Sequence, residues 1–184
     1  DGRGKMIAVN YLKANHVQAS AHIVIEPDGT IYQLVAFDKV SWHAGASKFG
    51  NLESFNDFSI GIEIDNEGRL QKEGSKFLTW YEREVRPEKV QRAIHSNKTK
   101  AAYWAKLEPI QIAICEALCK KLKEEYPSID HILGHDQIAP ERKLAPGPLY
   151  PIDNLRKIVF DEELPSGGRV AVNRLNIRGG PGAA

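Results

Sequence analysis

The chain has 184 residues, 42% of them hydrophobic and 27% charged, the composition of an ordinary globular domain with apolar mass enough for one sizeable core. Its 25 Lys and Arg against 24 Asp and Glu leave a formal charge of +1, which excludes the basic excess of a nucleic-acid binder. There is no apolar run of the roughly 18 residues that a membrane span needs, and no charged-then-apolar leader. The start at Asp1 without Met and the stop at Gly-Ala-Ala make both ends look cut.

In chain order, Lys5 to Asn15 carries Met6, Ile7, Val9, Tyr11 and Leu12 at a three-to-four spacing, which predicts an amphipathic helix packed on a sheet. Ala21 to Glu26 and Thr30 to Val35 are β-branched runs joined by Pro27, Asp28 and Gly29, the turn chemistry of a hairpin. Ser59 to Asp65 alternates strictly, so Ile60, Ile62 and Ile64 share one face and Glu63 points away from them. Lys72 to Lys106 is polar and includes Trp80, His95 and Trp104; it reads as a surface excursion, helical in part around Pro87 to Ile94, that caps one side of a site.

Pro109 opens a helix whose stripe of Ile110, Ala113, Ile114, Ala117, Leu118 and Leu122 runs to Tyr126 before Pro127 stops it. Cys115 and Cys119, four apart on that helix, read as buried core thiols rather than a disulfide or a zinc set. A short strand, Ile129 to Leu133, precedes a Gly/Pro-rich loop from Gly134 to Pro151 that can present side chains to a site. Strands interleaved with helices predict an α/β domain with a single mixed central sheet flanked by helices. We place it at residues 1–160, followed by a linker at 161–169 and the truncated start of a β-rich module at 170–184.

Four stretches carry a resemblance. They are SAHIVIEPDGTIYQLV at Ser20 to Val35, SWHAGAS at Ser41 to Ser47, NDFSIGIEID at Asn56 to Asp65, and GHDQIAPERKLAPGPLYP at Gly134 to Pro151. In this order, within residues 5 to 158, they resemble the N-acetylmuramoyl-L-alanine amidase family, which includes phage lysozyme-type amidases and peptidoglycan recognition proteins. The resemblance implies the amidase-like fold and zinc-dependent hydrolysis of the amide between N-acetylmuramic acid and L-alanine, with peptidoglycan or muropeptides as substrate. VNRLNIRGGPG at Val172 to Gly182 resembles the start of a bacterial SH3-like wall-binding domain, which implies a secreted or cell-envelope protein of bacterial or phage type.

The family's zinc is held by a His on an upstream strand, by the His of the Gly-His motif and by a carboxylate or thiolate about ten residues on, with water at the fourth position. By resemblance the first falls before Asp1 and the second is His135. The third falls on Ala145, whose methyl group cannot bind metal; Asp136 is the alternative donor. Glu63 maps to the general base and Lys143 to the cation that stabilises the oxyanion. Trp42 and His43 would line the groove, Arg142 would pair with a carboxylate of the peptide stem, and His22 is either a groove residue or a buried core histidine. His131, about 13 Å from His135 along an extended segment, is expected to be a surface histidine, and His16 and His95 have no assigned role.

Two functions compete: an active hydrolase, and a non-catalytic peptidoglycan-binding module that lost its zinc at Ala145. A serine or cysteine hydrolase is excluded because neither a G-x-S-x-G string nor a catalytic-cysteine signature is present.

Overall fold

The computed structural model describes residues 7–14, 16–160 and 177–179. The domain follows the expected α/β class and is built on two sheets of different character. Helix α1 (Ile7–Leu12) precedes β1 (Ile23–Ile25) and β2 (Ile31–Gln33), which form the anticipated hairpin with Ile25 opposite Ile31. The Asp28 carboxylate accepts the Thr30 amide at 3.0 Å, which locks its turn. A small ribbon, β3 (Lys48–Phe49) with β4 (Leu52–Glu53), leads to β5 (Ile62–Ile64), which lies parallel to β1 with Val24 opposite Glu63.

Ile23, Ile25 and Ile31 bury one face of this first sheet against α2 (Pro109–Glu125), meeting Ile114, Cys115, Leu118, Cys119 and Leu122. Each such side chain contributes roughly 2 kcal/mol by leaving water. Ile60, Ile62 and Ile64 join the same layer, as their alternation requires. Gln111, buried in the first turn of α2, donates to the carbonyls of Ile25 and Asp65 at 3.3 and 2.8 Å and so ties the helix to β1 and to the end of β5. The two cysteines are free and buried, as expected, with their sulfurs 4.0 Å apart.

The region expected to be a surface excursion is instead a second, antiparallel sheet: β6 (Arg69–Glu73), β7 (Lys76–Leu78), β8 (Glu84–Val85), β9 (Val90–Ile94) and β10 (Ala101–Ala105), in the order β8-β7-β6-β10-β9. Only Pro87–Lys89 makes a turn of 3-10 helix; Val90 to Ile94 pairs residue for residue with Ala101 to Ala105, and that pairing overrides local helix propensity. Leu70, Val85 and Ala105 form its small core, with Phe77, Val90 and Tyr103 packed around them.

The strand expected at Ile129 to Leu133 pairs with no other strand among the described residues. Side chains satisfy its backbone instead, Lys123 donating to the Ile129 carbonyl and Arg156 to that of Ile132, both at 2.8 Å. The chain then forms the short α3 (His135–Ile138) and closes with α4 (Ile152–Phe160). Beyond it, β11 (Ile177–Gly179) lies parallel to β2. The linker and the remainder of the SH3-like stretch lie outside the described residues. Among the described residues no helix is long and apolar enough to cross a membrane.

Candidate functional site

Because β5 alternates, Glu63 points away from its isoleucines, and it lines one groove with His43, His135 and Ala145, part of a space of about 810 Å³ that also reaches Ile62, Ile64, Cys115 and Leu122. Water reaches Glu63, yet protein surrounds it closely enough for desolvation to raise its pKa above the usual carboxylate range. The Lys143 ammonium pulls it back down, and Asp65 adds to the rise. Lys143 is not part of the groove wall, but its charge reaches the carboxylate. A carboxylate partly starved of water and facing a cation is suited to taking a proton near neutral pH.

His43 lies flat over β5 at Gly61, where any β-carbon would overlap the imidazole ring. Its Nδ1 is 2.9 Å from Ser41 Oγ and its Nε2 is 3.0 Å from Ser59 Oγ, while the Asn56 side-chain oxygen accepts the His43 and Ala44 amides. Burial pushes the ring's pKa down to about 4, the Ser41 carbonyl raising it and His22 and His135 lowering it further. His43 is therefore neutral at pH 7 and exchanges hydrogen bonds rather than charge.

His22 is buried, at 2% exposure, and its ring lies at the wall of the groove. Its Nδ1 accepts the Gly61 amide at 3.0 Å and its Nε2 donates to the Lys39 carbonyl at 2.9 Å. With both nitrogens occupied it offers none to a substrate. It instead fixes the β5 entrance beneath His43, their ring centroids 5.7 Å apart.

The segment from Gly134 to Gly147 supplies the opposite wall. His135 Nε2 donates to the Ala44 carbonyl at 3.0 Å, so the proton of the neutral ring sits on Nε2 and the Nδ1 lone pair is left available. Burial lowers its pKa, the Ala44 bond opposes that, and Lys143 and Arg142 reinforce it. A neutral imidazole with a fixed tautomer is the form a metal ligand requires.

Arg142, expected to pair with a carboxylate of the peptide stem, is engaged by the backbone through one nitrogen of its guanidinium. Its Nη2 donates to the carbonyls of Ala44 and Ala46 at 2.5 and 2.6 Å, clamping the loop that also receives His135. Trp42 departs from expectation too: it is 62% exposed and absent from the groove wall. Residues not singled out by sequence reasoning, Ser41, Asn56 and Ser59, instead hold His43; all three lie within the matched strings, which was the available signal.

Asp136 is not free to replace the missing ligand. Its Oδ2 is 3.0 Å from Nε2 of His95, while its Oδ1 packs where a β-carbon on Gly134 would stand. His131 is a surface histidine paired with Asp130 at 2.6 Å. Among the described residues no three His, Cys, Asp or Glu side chains cluster as a metal set. His135 fits zinc, Ala145 contributes no donor, and the described residues by themselves do not fit the ion.

The N-acetylmuramoyl-L-alanine amidase family model matches residues 3–148. The chain is 37% identical over 145 residues to the 1,6-anhydro-N-acetylmuramyl-L-alanine amidase AmpD of Salmonella typhimurium, covering 78% of this chain and 59% of that protein. It is 32% identical over 126 residues to the N-acetylmuramoyl-L-alanine amidase AmiD of Escherichia coli, covering 68% of this chain and 36% of that one. The chain thus spans well under two thirds of the length of either relative. The solved E. coli AmiD complex with anhydro-N-acetylmuramic acid-L-Ala-D-gamma-Glu-L-Lys superposes with a TM-score of 0.58 at 29% identity, over 82% of this chain and 51% of that one.

Proposed function

This chain belongs to the N-acetylmuramoyl-L-alanine amidase family, and on that premise we propose that it acts on muropeptides, hydrolysing the amide between N-acetylmuramic acid and L-alanine. The observation that carries the reading is the pairing of Glu63, with its raised pKa, and Lys143 beside the neutral His135 at one groove. Glu63 takes a proton from the attacking water and returns it to the departing alanine nitrogen. Lys143 stabilises the negative charge that develops on the carbonyl oxygen. His43, neutral and held at both ring nitrogens by Ser41 and Ser59, shapes the groove wall against which sugar or peptide would lie.

Zinc is the cofactor the family resemblance implies, and the donor set described does not complete its site. That deficit favours a second reading, a peptidoglycan-binding module that keeps the groove without cleavage; the specific observation is the methyl group of Ala145. We place either action in the cell envelope, on the resemblance of residues 170–184 to an SH3-like wall-binding module. The two readings separate in one experiment on the full-length protein: zinc by elemental analysis alongside stem-peptide release from purified sacculi. Hydrolysis predicts low zinc and slow release, both raised about tenfold or more by Ala145→Asp, and release abolished by Glu63→Ala with metal content kept. Muropeptide binding without release in either the natural protein or the Ala145→Asp variant establishes the binding module. Stoichiometric zinc in the unmodified protein, with release that Ala145→Asp does not improve, refutes the account of Ala145.

A further inference from the structure

His95 sits where β9 turns toward β10, in the second sheet, yet it is 1% exposed. Its ring stacks on Trp104, centroids 5.7 Å apart and planes 26° apart. Nδ1 accepts the Asn97 amide at 3.0 Å, so Nε2 carries the proton and directs it at two acceptors, the Leu144 carbonyl at 3.1 Å and Asp136 Oδ2 at 3.0 Å. Asn97 adds a bond from its side-chain amide to the Asp136 carbonyl at 2.9 Å. Trp104 meanwhile packs on Gly147, where a β-carbon would come within 3.3 Å of its ring.

The contacts to Leu144, Asp136 and Gly147 all reach one segment. Asp136 follows His135, and Leu144 follows Lys143. The Asp136 amide donates to the Ala145 carbonyl at 2.8 Å, which joins the two ends of the segment next to the His95 contacts. Buried polar groups placed this way are costly unless partners are met; backbone amides of Asp136 and Gln137 meet part of the Asp136 carboxylate, and the second sheet supplies the His95 bond. We propose that His95 is a positioning residue: through Asp136 and the Leu144 carbonyl it makes the second sheet a brace that sets where His135 and Lys143 stand against Glu63. The placement is the same whether the groove cleaves a muropeptide or only holds it.

The test is nuclear magnetic resonance on the uniformly 15N-labelled chain at neutral pH, reading the His135 ring tautomer and amide hydrogen exchange. In His95→Ala the His135 ring loses its single Nε2-protonated form, and the Asp136 amide exchanges about tenfold faster or more, while amides of Ile25 and Leu118 keep their protection. His95→Gln, whose side-chain amide offers two N–H donors, restores both signals. Asn97→Ala, which removes only the outer bond, accelerates Asp136 exchange by a smaller factor. The proposal is overturned if His95→Ala leaves the His135 ring and the Asp136 amide as they were, or if His95→Gln fails to restore them. It is also overturned if protection is lost everywhere at once in His95→Ala, because His95 would then support the whole domain rather than this segment.

Discussion

The first sheet and the second hold opposite walls of the groove by different means. In β1 all three residues are buried and the isoleucines of β1, β2 and β5 interlock with α2, so Glu63 rides on a continuous apolar layer. In β6 and β9 most residues face solvent; the second sheet keeps a core of three buried side chains and meets the His135 segment through the polar contacts of His95 and Asn97 and through Trp104. Apolar layers are tolerant of small shifts, whereas hydrogen bonds lose strength steeply with angle and distance. The base is therefore set by packing, and the segment that carries His135 and Lys143 by directional bonds to a thinner structure.

The largest effect should come from the first core. Ile25→Ala, at a fully buried position, should cost about 3 to 4 kcal/mol and lower the melting temperature of the domain in a single transition. Leu70→Ala in the second core should cost about 2 to 3 kcal/mol, with hydrogen exchange speeding first in β10 and at Asp136 while β1 stays protected. Identical unfolding in the two variants would show one cooperative core and erase the contrast.

Acid should act through His43. Its pKa is about 4 in the folded chain against 6.5 for the free side chain, so between those values the unfolded chain binds more protons. Stability is then complete above pH 6.5 and is lost as pH falls toward 4, by about 2 kcal/mol after solvent screening of the part-exposed ring. Urea midpoints for the natural chain and for His43→Gln, compared at pH 7 and pH 4.5, read this directly; equal acid losses in both would place the sensitive group elsewhere.

Glu63→Gln should give the smallest change in stability, in the opposite direction. A carboxyl whose pKa is raised by folding is most favourable when protonated, so stability falls as pH climbs from the usual carboxylate range through the raised value. The amide should therefore stabilise the domain slightly at pH 7, the trade-off common at functional positions, while abolishing stem-peptide release. A loss of stability in that variant would mean that Glu63 is held by favourable bonds rather than strained by desolvation.

Much of the fold was legible because its signals are local. The alternation of Ser59 to Asp65 placed Glu63 off the isoleucine layer, the Pro-Asp-Gly turn gave the first hairpin, and Pro109 and Pro127 bounded α2. The second sheet was misread because its strands bury few residues and so lack the strong apolar alternation that marks a strand against a core. Ile129 to Leu133 was misread for the converse reason: apolar and β-branched, it packs on the core yet has Lys and Arg side chains in place of a neighbouring strand.

By itself the sequence determined the family, the order of its motifs, the absence of a donor at Ala145 and the face that carries Glu63. Each of these is written in residue identity or in a short period of the chain. Only the tertiary structure decided that Trp42 stands outside the groove, that Arg142 clamps the Ala44 and Ala46 carbonyls, and that Asp136 answers to His95 rather than to a metal. Those contacts join residues 98, 96 and 41 positions apart in the chain. No local periodicity links such positions, and a side chain able to bind substrate, metal or backbone takes whichever partner the packed fold brings within hydrogen-bond reach.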